Sequence, residues 1–200
     1  MKVALGLKAH SGWAALVALG TGNDAFEVVD RRRLELVARG DESWAKQPYH
    51  AAEHLPQSDA RKLVQRGIDA ARSHARRAVR ETVTRLEREG HIVDACAVLM
   101  SPPMADWSVD DILAVHFRMH KAEGVLFRDA LARAAKECTR RLVQIEEKQL
   151  YDHAANALSV AAGTLATRMA TLGKAIGPPW GKDQKDAALA AMVALAGRRV

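Results

Sequence analysis

The sequence predicts a single α/β domain spanning residues 1–200, with a mixed sheet and helices on both of its faces. Three short strand-like runs joined by turns open the chain, and beyond them apolar runs alternate with long helical patterns. With 200 residues and 48% hydrophobic content, the chain is long enough to bury one sizeable core.

The first three strands are predicted from their apolar patterns. Residues 2–7 form a short apolar run, suited to a strand that is buried on both faces. After a tight connection, residues 13–19 form a second run, and a turn at residues 21–24 contains residue types that tolerate positive φ. The second half of the segment 27–37 alternates polar and apolar residues, as an edge strand does. We therefore expect an antiparallel meander.

The middle of the chain begins with a polar segment at residues 39–57 that has no clear period. We interpret it as an irregular loop of functional interest, because long structureless segments are uncommon in compact domains. Ser58 is a plausible N-cap for a long amphipathic helix that Gly90 ends. Residues 91–100 form an apolar, strand-like run.

The last third of the chain is mostly helical. Residues 106–136 are predicted to be helical in two pieces, and residues 139–145 form a further strand. Helical character returns over residues 146–174, with a break near Gly163. After a rigid Gly-Pro-Pro loop, a final helix is expected at residues 182–196.

Composition limits the function classes. The net charge of +6 and the pI of about 9.6 favour anionic partners such as nucleic acid, although charge also keeps a protein in solution. Cys96 and Cys138 form no Cys-x-x-Cys pair, which excludes zinc ribbons and thioredoxin-type chemistry. Lys8 and His10 interrupt the apolar N-terminal region, which argues against a signal peptide, and no apolar run approaches the roughly 18 residues of a membrane span. We expect a cytoplasmic protein with no membrane contact.

Three short motifs occur in order on the predicted elements. The first strand ends Gly6-Leu7-Lys8 and is followed by Ser11-Gly12-Trp13-Ala14; the middle of the chain contains Glu123-Gly124-Val125-Leu126; and the last helix contains Asp183 and then Asp186-Ala187-Ala188-Leu189-Ala190. Together they resemble the motifs of the RuvC-like branch of the ribonuclease H-like superfamily. The resemblance implies a five-stranded mixed sheet in the order 3-2-1-4-5 with helices on both faces.

The resemblance also implies a chemistry, and the chain departs from it. Enzymes of that family cleave phosphodiesters with two magnesium ions, about 4 Å apart, held by carboxylates. The first carboxylate belongs at the position of Lys8, and the strand at residues 91–100 has no acid near its end. Asp183 and Asp186 remain, although both residue types also suit the first turn of a helix. Because an ammonium group cannot ligate magnesium, we expect the standard mechanism to be absent and do not favour a divalent metal cofactor.

Lys8 and His10 end a buried strand, where open α/β sheets often form binding crevices. Lys8 could neutralise a bound phosphate or pair with an aspartate of the last helix, and we slightly favour the internal pair. The predicted crevice lies between Lys8, His10, Asp183 and Lys185.

Histidines form a second group of candidates. His116, His120 and Glu123 lie at i, i+4 and i+7 on one helix face, a spacing that suits a transition metal but also ordinary solvated side chains. His50, in the irregular segment, could bind a partner or act as an acid or base, or could be an unremarkable loop histidine.

A line of arginines is the third candidate. Arg72, Arg76 and Arg80 are spaced by four residues along the long helix. They could track phosphates, although a solvated helix face with i,i+4 ion pairs is the somewhat better interpretation.

Two functions are compatible with this pattern. The first is a catalytically degenerate RuvC-like protein that binds nucleic acid or another anionic partner. The second is a metal-dependent phosphoester hydrolase with a rebuilt site, whose candidate catalytic residues are Asp183, Asp186, His120 and Glu123, with His10 and His50 in support. Convergence of His120, Glu123 and Asp183 on one point would favour the enzyme, and a Lys8–aspartate bond would favour the binding protein. The sequence does not indicate an oligomeric state.

Overall fold

Five strands form one mixed sheet in a computed structural model that describes residues 1–22 and 25–197. Asn23 and Asp24 of the predicted turn lie outside these ranges, as do the last three residues of the predicted domain. The strands are β1 (Lys2–His10), β2 (Trp13–Gly22), β3 (Ala25–Glu35), β4 (Ile92–Met100) and β5 (Arg141–Glu146).

The sheet has the order β3-β2-β1-β4-β5, so the predicted order is confirmed. The first three strands pair antiparallel, whereas β4 pairs parallel with both β1 and β5. β1 extends three residues beyond the predicted end because it stays paired with β2 as far as His10 and Trp13. Ser11 and Gly12 make the turn, and Gly12 takes a φ of +84°, which suits glycine.

The helices cover both faces of the sheet. On one face α3 and α5 pack against the apolar residues of β1, β2 and β4, and on the other α6, α7 and α8 cover the alternate residues of the same strands. The helices are α1 (Glu42–Ala45), α2 (Pro48–Ala52), α3 (Gln57–Arg88), α4 (Val109–Leu113), α5 (His116–Cys138), α6 (Leu150–Leu158), α7 (Ala162–Ile176) and α8 (Lys182–Ala196), with a 3-10 turn at Glu147–Gln149.

The segment 39–57 is not the irregular loop that the sequence predicts, because it contains α1 and α2. Tyr49 and Ala52 of α2 are buried in a small apolar cluster with residues of α3, α4 and α5. Each helix is only four or five residues long, which is too short to show the hydrophobic period from which a helix is predicted.

Two predicted helix boundaries also differ from the structure. Ser58 is not an N-cap: α3 begins one residue earlier, at Gln57, and Pro56 occupies the capping position without a side-chain bond. The predicted break near Gly163 falls at residues 159–161, where Ser159 takes a left-handed conformation with φ of 51°. Within residues 1–22 and 25–197, no helix combines the length and apolar character needed to cross a membrane.

Candidate functional site at the carboxyl edge of the sheet

Lys8 lies buried among three carboxylates, and we call this group, with Asp183, Asp186 and Glu147, the Lys8 cluster. The Lys8 Nζ lies 2.7 Å from Asp186 Oδ2, 3.1 Å from Glu147 Oε1 and 3.2 Å from Asp183 Oδ1. Asp183 lies in the first turn of α8 and Asp186 three residues further along the same helix, and Glu147 follows β5 directly. These groups meet because the carboxyl ends of the parallel strands β1 and β5 lie at one edge of the sheet.

Gly6 allows α8 to approach β1 closely enough for this contact. A Cβ atom at Gly6 would lie 1.8 Å from the carbonyl oxygen of Ala187, so only glycine fits beneath the helix. In the loop before α8, the carbonyls of Gly177 and Pro179 accept hydrogen bonds from Arg31 of β3, at 2.8 and 2.6 Å. The close packing at Gly6 and the hydrogen bonds from Arg31 hold the start of α8 over Lys8.

Further polar groups complete the Lys8 cluster. Lys182 Nζ lies 2.6 Å from Asp186 Oδ2, and Arg128 of α5 pairs with Glu147 at 2.9 Å. The Tyr151 hydroxyl lies 3.4 Å from Asp186 Oδ1. His10 Nε2 lies 3.2 Å from Asp183 Oδ2, although not in hydrogen-bond geometry. Three cations, from Lys8, Lys182 and Arg128, therefore face the three carboxylates.

The charges and hydrogen bonds around Lys8 and Glu147 determine the ionisation of these two groups. Burial alone would lower the pKa of Lys8, but the hydrogen bonds and charges of Asp186 and Glu147 outweigh burial and raise it. Burial alone would raise the pKa of Glu147, but its bonds with Arg128 and Lys8 lower it. Both groups therefore carry their charge at neutral pH, and the ion pairs persist there.

A magnesium ion does not fit among these carboxylates. Magnesium needs oxygen ligands at about 2.0–2.1 Å in near-octahedral geometry. The Lys8 ammonium already lies within 3.2 Å of an oxygen from each of the three acids, and its charge would repel a dication there. No metal-assisted step follows from this arrangement.

A second polar group, which we call the histidine cluster, consists of His50, His116 and His120. One ring nitrogen from each lies within 4.8 Å of the others, and the His120 and His116 Nε2 atoms are 3.0 Å apart. His116 and His120 lie one turn apart on α5, and α2 brings His50 beside them. His116 and His120 are exposed and His50 is partly buried, so the group faces solvent.

Glu123 is joined to the histidine cluster through His50. Its carboxylate is buried and accepts a hydrogen bond from His50 Nδ1 at 2.6 Å and another from the backbone N–H of His50 at 3.1 Å. Gln47 Nε2 donates to the same carboxylate at 3.3 Å. The structure thus places His50, rather than Glu123, beside His116 and His120.

The lining of a cavity of about 210 Å³ includes His10, Arg128 and Glu123, which contact Asp183, Glu147 and His50 respectively. A larger cavity, of about 790 Å³, lies near β3, α7 and α8. Its described lining is mainly apolar and hydroxyl side chains, with neither an acid nor a histidine. The smaller cavity is therefore the one that belongs with the ionisable groups.

The remaining predicted binding residues are three arginines of α3 and Lys185 of α8. Arg72 lies 3.9 Å from Asp69, and Arg76 pairs with Glu137 of α5 at 2.8 Å. Arg80 is exposed on α3, and Lys185 is half-buried in the first turn of α8. The arginine line is therefore partly neutralised by neighbouring acids.

The sequence predicted some of these contacts and missed others. It named a crevice between Lys8, His10, Asp183 and Lys185, and a pairing of Lys8 with an aspartate of the last helix. The structure brings Lys8, His10, Asp183 and Asp186 together, and Lys185 lies half-buried in the first turn of α8. Among the described residues, the charged contacts of Asp183 are with Lys8 and His10, and neither His120 nor Glu123 shares them. Sequence reasoning missed Glu147, although an acid directly after a strand of the sheet was an available signal. It also missed Arg128 and Tyr151, whose roles follow only from packing.

An aromatic group lies at the same edge of the sheet. The rings of His10 and Trp13 stack with centroids 4.2 Å apart, and the Arg33 guanidinium lies 3.9 Å from the Trp13 ring centroid. The Lys46 side chain packs over Gly12, where an added Cβ would lie 3.0 Å from its Cγ. We call His10, Trp13, Arg33 and Lys46 the tryptophan edge.

Of three comparisons with known proteins, the one with solved structures finds similar proteins. No family model matches the chain, and no curated protein sequence matches it. Among solved structures it is similar to Thermus thermophilus RuvC, with a TM-score of 0.55 and 12% identity over 98% of this chain and 95% of that one. It is also similar to T. thermophilus RuvC in complex with a Holliday junction substrate, with a TM-score of 0.53 and 10% identity over 100% and 96% of the two chains. At these identities the likeness establishes the architecture, and the chain therefore has the ribonuclease H-like fold that RuvC also has.

Proposed function

We propose that this chain is a catalytically degenerate ribonuclease H-like protein that binds nucleic acid at the carboxyl edge of its sheet. One observation carries the proposal: the Lys8 ammonium lies within 3.2 Å of Asp183, Asp186 and Glu147. An internal cation neutralises the acids, and it supplies neither a bound water nor a Lewis acid for hydrolysis.

Charge supports an anionic partner. The acids of the Lys8 cluster are matched by Lys8, Lys182 and Arg128, so this edge does not present three uncompensated negative charges to a phosphate. The whole chain carries a net charge of +6. One of the similar structures is a complex with a Holliday junction substrate, which supports nucleic acid as the class of partner.

The tryptophan edge supplies the side chains that would contact the nucleic acid. Aromatic rings stack on bases without reading their sequence, and cations beside them follow the phosphates. Trp13 and His10 provide the rings and Lys46 provides a cation, and Arg33, which pairs with Glu35 at 2.6 Å, lies over the Trp13 ring. The arrangement suits unpaired or distorted strands, whose bases are accessible for stacking.

Fluorescence anisotropy with single-stranded and branched DNA, at several salt concentrations, tests the proposal. We expect Trp13→Ala to weaken binding by about 10-fold or more, since base stacking contributes about 1–3 kcal/mol. Lys46→Ala should reduce the slope of log affinity against log salt by about 1 for each phosphate that Lys46 neutralises. Arg88, exposed at the end of α3 and far along the chain from this edge, provides a matched control as Arg88→Ala. Equal affinity of all three variants would contradict the proposed surface.

A cleavage assay on the same DNAs, with magnesium or manganese, tests the loss of catalysis. We expect no metal-dependent cleavage by the wild-type protein. Cleavage that Asp183→Asn abolishes and Lys8→Ala leaves unchanged would overturn the proposal.

A metal-dependent phosphoester hydrolase with a rebuilt His/Glu/Asp site is the second candidate. The observation in its favour is that Glu123, which holds His50, lines the same cavity as His10 and Arg128. Metal-dependent hydrolysis of a phosphodiester that is lost in both His120→Ala and Asp183→Asn would support this candidate over the first.

A further inference from the structure

We propose that His50, His116 and His120 form a binding site for a zinc ion, separate from the acids of the Lys8 cluster. The inference does not depend on nucleic-acid binding. One nitrogen of each ring lies within 4.8 Å of the others. Neutral imidazole is a preferred ligand of zinc, whereas magnesium takes oxygen ligands, so the donor set selects a transition metal.

The spacing of the nitrogens suits a tetrahedral ion. Zinc–nitrogen bonds of about 2.0–2.1 Å place the ligand atoms roughly 3.4 Å apart. The Nε2 atoms of His116 and His120 are 3.0 Å apart, close to that separation. The His50 ring centroid lies 5.0 Å from that of His116 and 4.6 Å from that of His120. Because His116 and His120 are exposed, their rings can rotate to close the remaining distance.

Two carboxylates orient the rings, and this is an observation independent of the spacing. Glu123 accepts from His50 Nδ1 at 2.6 Å, and Glu53 Oε1 lies 3.4 Å from His116 Nδ1. A carboxylate on Nδ1 leaves the Nε2 lone pair of His50 and of His116 available to a metal. Metal-bound histidines in proteins usually have such a partner on the other ring nitrogen.

Burial separates the roles of the two acids. Glu123 is 7% exposed and holds both the ring and the backbone N–H of His50, so its carboxylate is committed to positioning α2. Glu53, on the solvent side, lies at the edge of the cluster. Glu123 is therefore a positioning residue rather than a ligand.

Three protein nitrogens leave a fourth coordination position for water or an anionic ligand. Zinc sites of this composition are of the open type, and zinc lowers the pKa of a bound water to about 7. The exposed side of the cluster gives that position access to solvent.

Metal titration of the full chain, purified with a chelator and then dialysed, tests the site. Isothermal titration with zinc should give one ion per chain, and cobalt should give the visible spectrum of a four- or five-coordinate ion. Each of His50→Ala, His116→Ala and His120→Ala should abolish this binding. His54→Ala is the matched control, because His54 is an exposed histidine on the same segment and outside the cluster.

The Glu123→Gln variant tests the positioning role. We expect it to keep the one-to-one stoichiometry and lose about 10- to 100-fold in zinc affinity. Thermal unfolding without metal controls for folding: the exposed His116→Ala and His120→Ala variants should melt close to the wild type. Zinc affinity that is unchanged in those two variants, or lost equally in His54→Ala, would overturn the site. Neither outcome bears on DNA binding by the tryptophan edge.

Discussion

At the scale of single residues, Lys8 and Asp186 form the pair on which the Lys8 cluster depends. The Asp186 carboxylate is 1% exposed and receives Lys8 at 2.7 Å and Lys182 at 2.6 Å. A buried carboxylate is costly unless it is paired, so the two lysines compensate for its burial. Lys182 is largely exposed, which leaves Lys8 as the enclosed partner.

The Lys8→Met variant measures this compensation. Methionine keeps most of the length and volume of lysine and removes the charge, so Asp186 and Glu147 lose their shared partner. Removing one member of a buried ion pair costs about 3–5 kcal/mol of folding free energy. Because Asp186 keeps its ion pair with Lys182, we expect Lys8→Met to lose about 3 kcal/mol or less. Urea unfolding monitors the loss, and Lys185→Met, in the first turn of α8, is the control. A free energy of unfolding within about 0.5 kcal/mol of the wild type would contradict the prediction.

The Lys8→Asp variant asks whether the ammonium alone excludes magnesium. An aspartate here places four acids together, so the variant should be destabilised without metal and regain stability as magnesium is added. The wild-type protein should show no such gain. Thermal unfolding against magnesium concentration checks both expectations, and Lys8→Met separates the loss of the cation from the gain of an acid. An equal magnesium-dependent rise in the wild type would show that the cluster already accepts a dication.

At the scale of elements, the contact between β1 and α8 determines where the acids lie. Gly6 has no room for a side chain beneath Ala187, and the buried face of α8 is rich in alanine, so helix and strand pack at short distance. Any shift of α8 would carry Asp183 and Asp186 away from Lys8.

The Gly6→Ala variant tests this contact. Its Cβ would lie 1.8 Å from a backbone oxygen, so α8 must move, and overpacking of this kind costs about 1–3 kcal/mol or more. Gly124→Ala is the matched control: an added Cβ on α5 has nothing within 4 Å, and alanine in a helix is favoured over glycine by about 0.5–1 kcal/mol. We expect urea unfolding to show one variant destabilised and the other stabilised. A change of the same sign in both variants would contradict the role given to Gly6.

At the scale of the whole molecule, the sequence predicted the sheet better than it predicted the site. The strands follow from apolar runs and a short meander, which are strong local signals, whereas their order in the sheet was implied by the resemblance to RuvC-like motifs. A crevice between Lys8, His10, Asp183 and Lys185 was expected from the resemblance and from the tendency of strand ends to form binding crevices, and the structure brings Lys8, His10 and Asp183 together. The pairing of His50 with Glu123 was not predictable, because it depends on how α2 packs against α5. Glu147 had a signal, as an acid directly after a strand, but its contact with Lys8 depends on where β5 lies in the sheet.

Acid stability is the whole-molecule property that the Lys8 cluster should control. The pKa of Glu147 is lowered in the folded state, so the stability it contributes is complete above its unfolded value of about 4.3 and is lost as pH falls through the folded pKa. The pKa of Lys8 is raised, so its contribution is complete below its unfolded value of about 10.4 and is lost only as pH rises through the folded pKa. The cluster therefore contributes a constant stability between these two limits.

Glu147→Gln should remove the acid-side part of this dependence. The variant is expected to be less stable than the wild type at neutral pH, and the difference should shrink as the pH falls below about 4.3, since protonation of Glu147 removes the same charge from the wild type. Thermal unfolding of both proteins from about pH 3 to pH 7 measures the difference. Glu146→Gln, which changes the neighbouring residue at the end of β5, is the control, and its difference from the wild type should not follow this curve. A Glu147→Gln difference that stays constant with pH would mean that the carboxylate charge of Glu147 does not contribute to folding through Lys8 and Arg128.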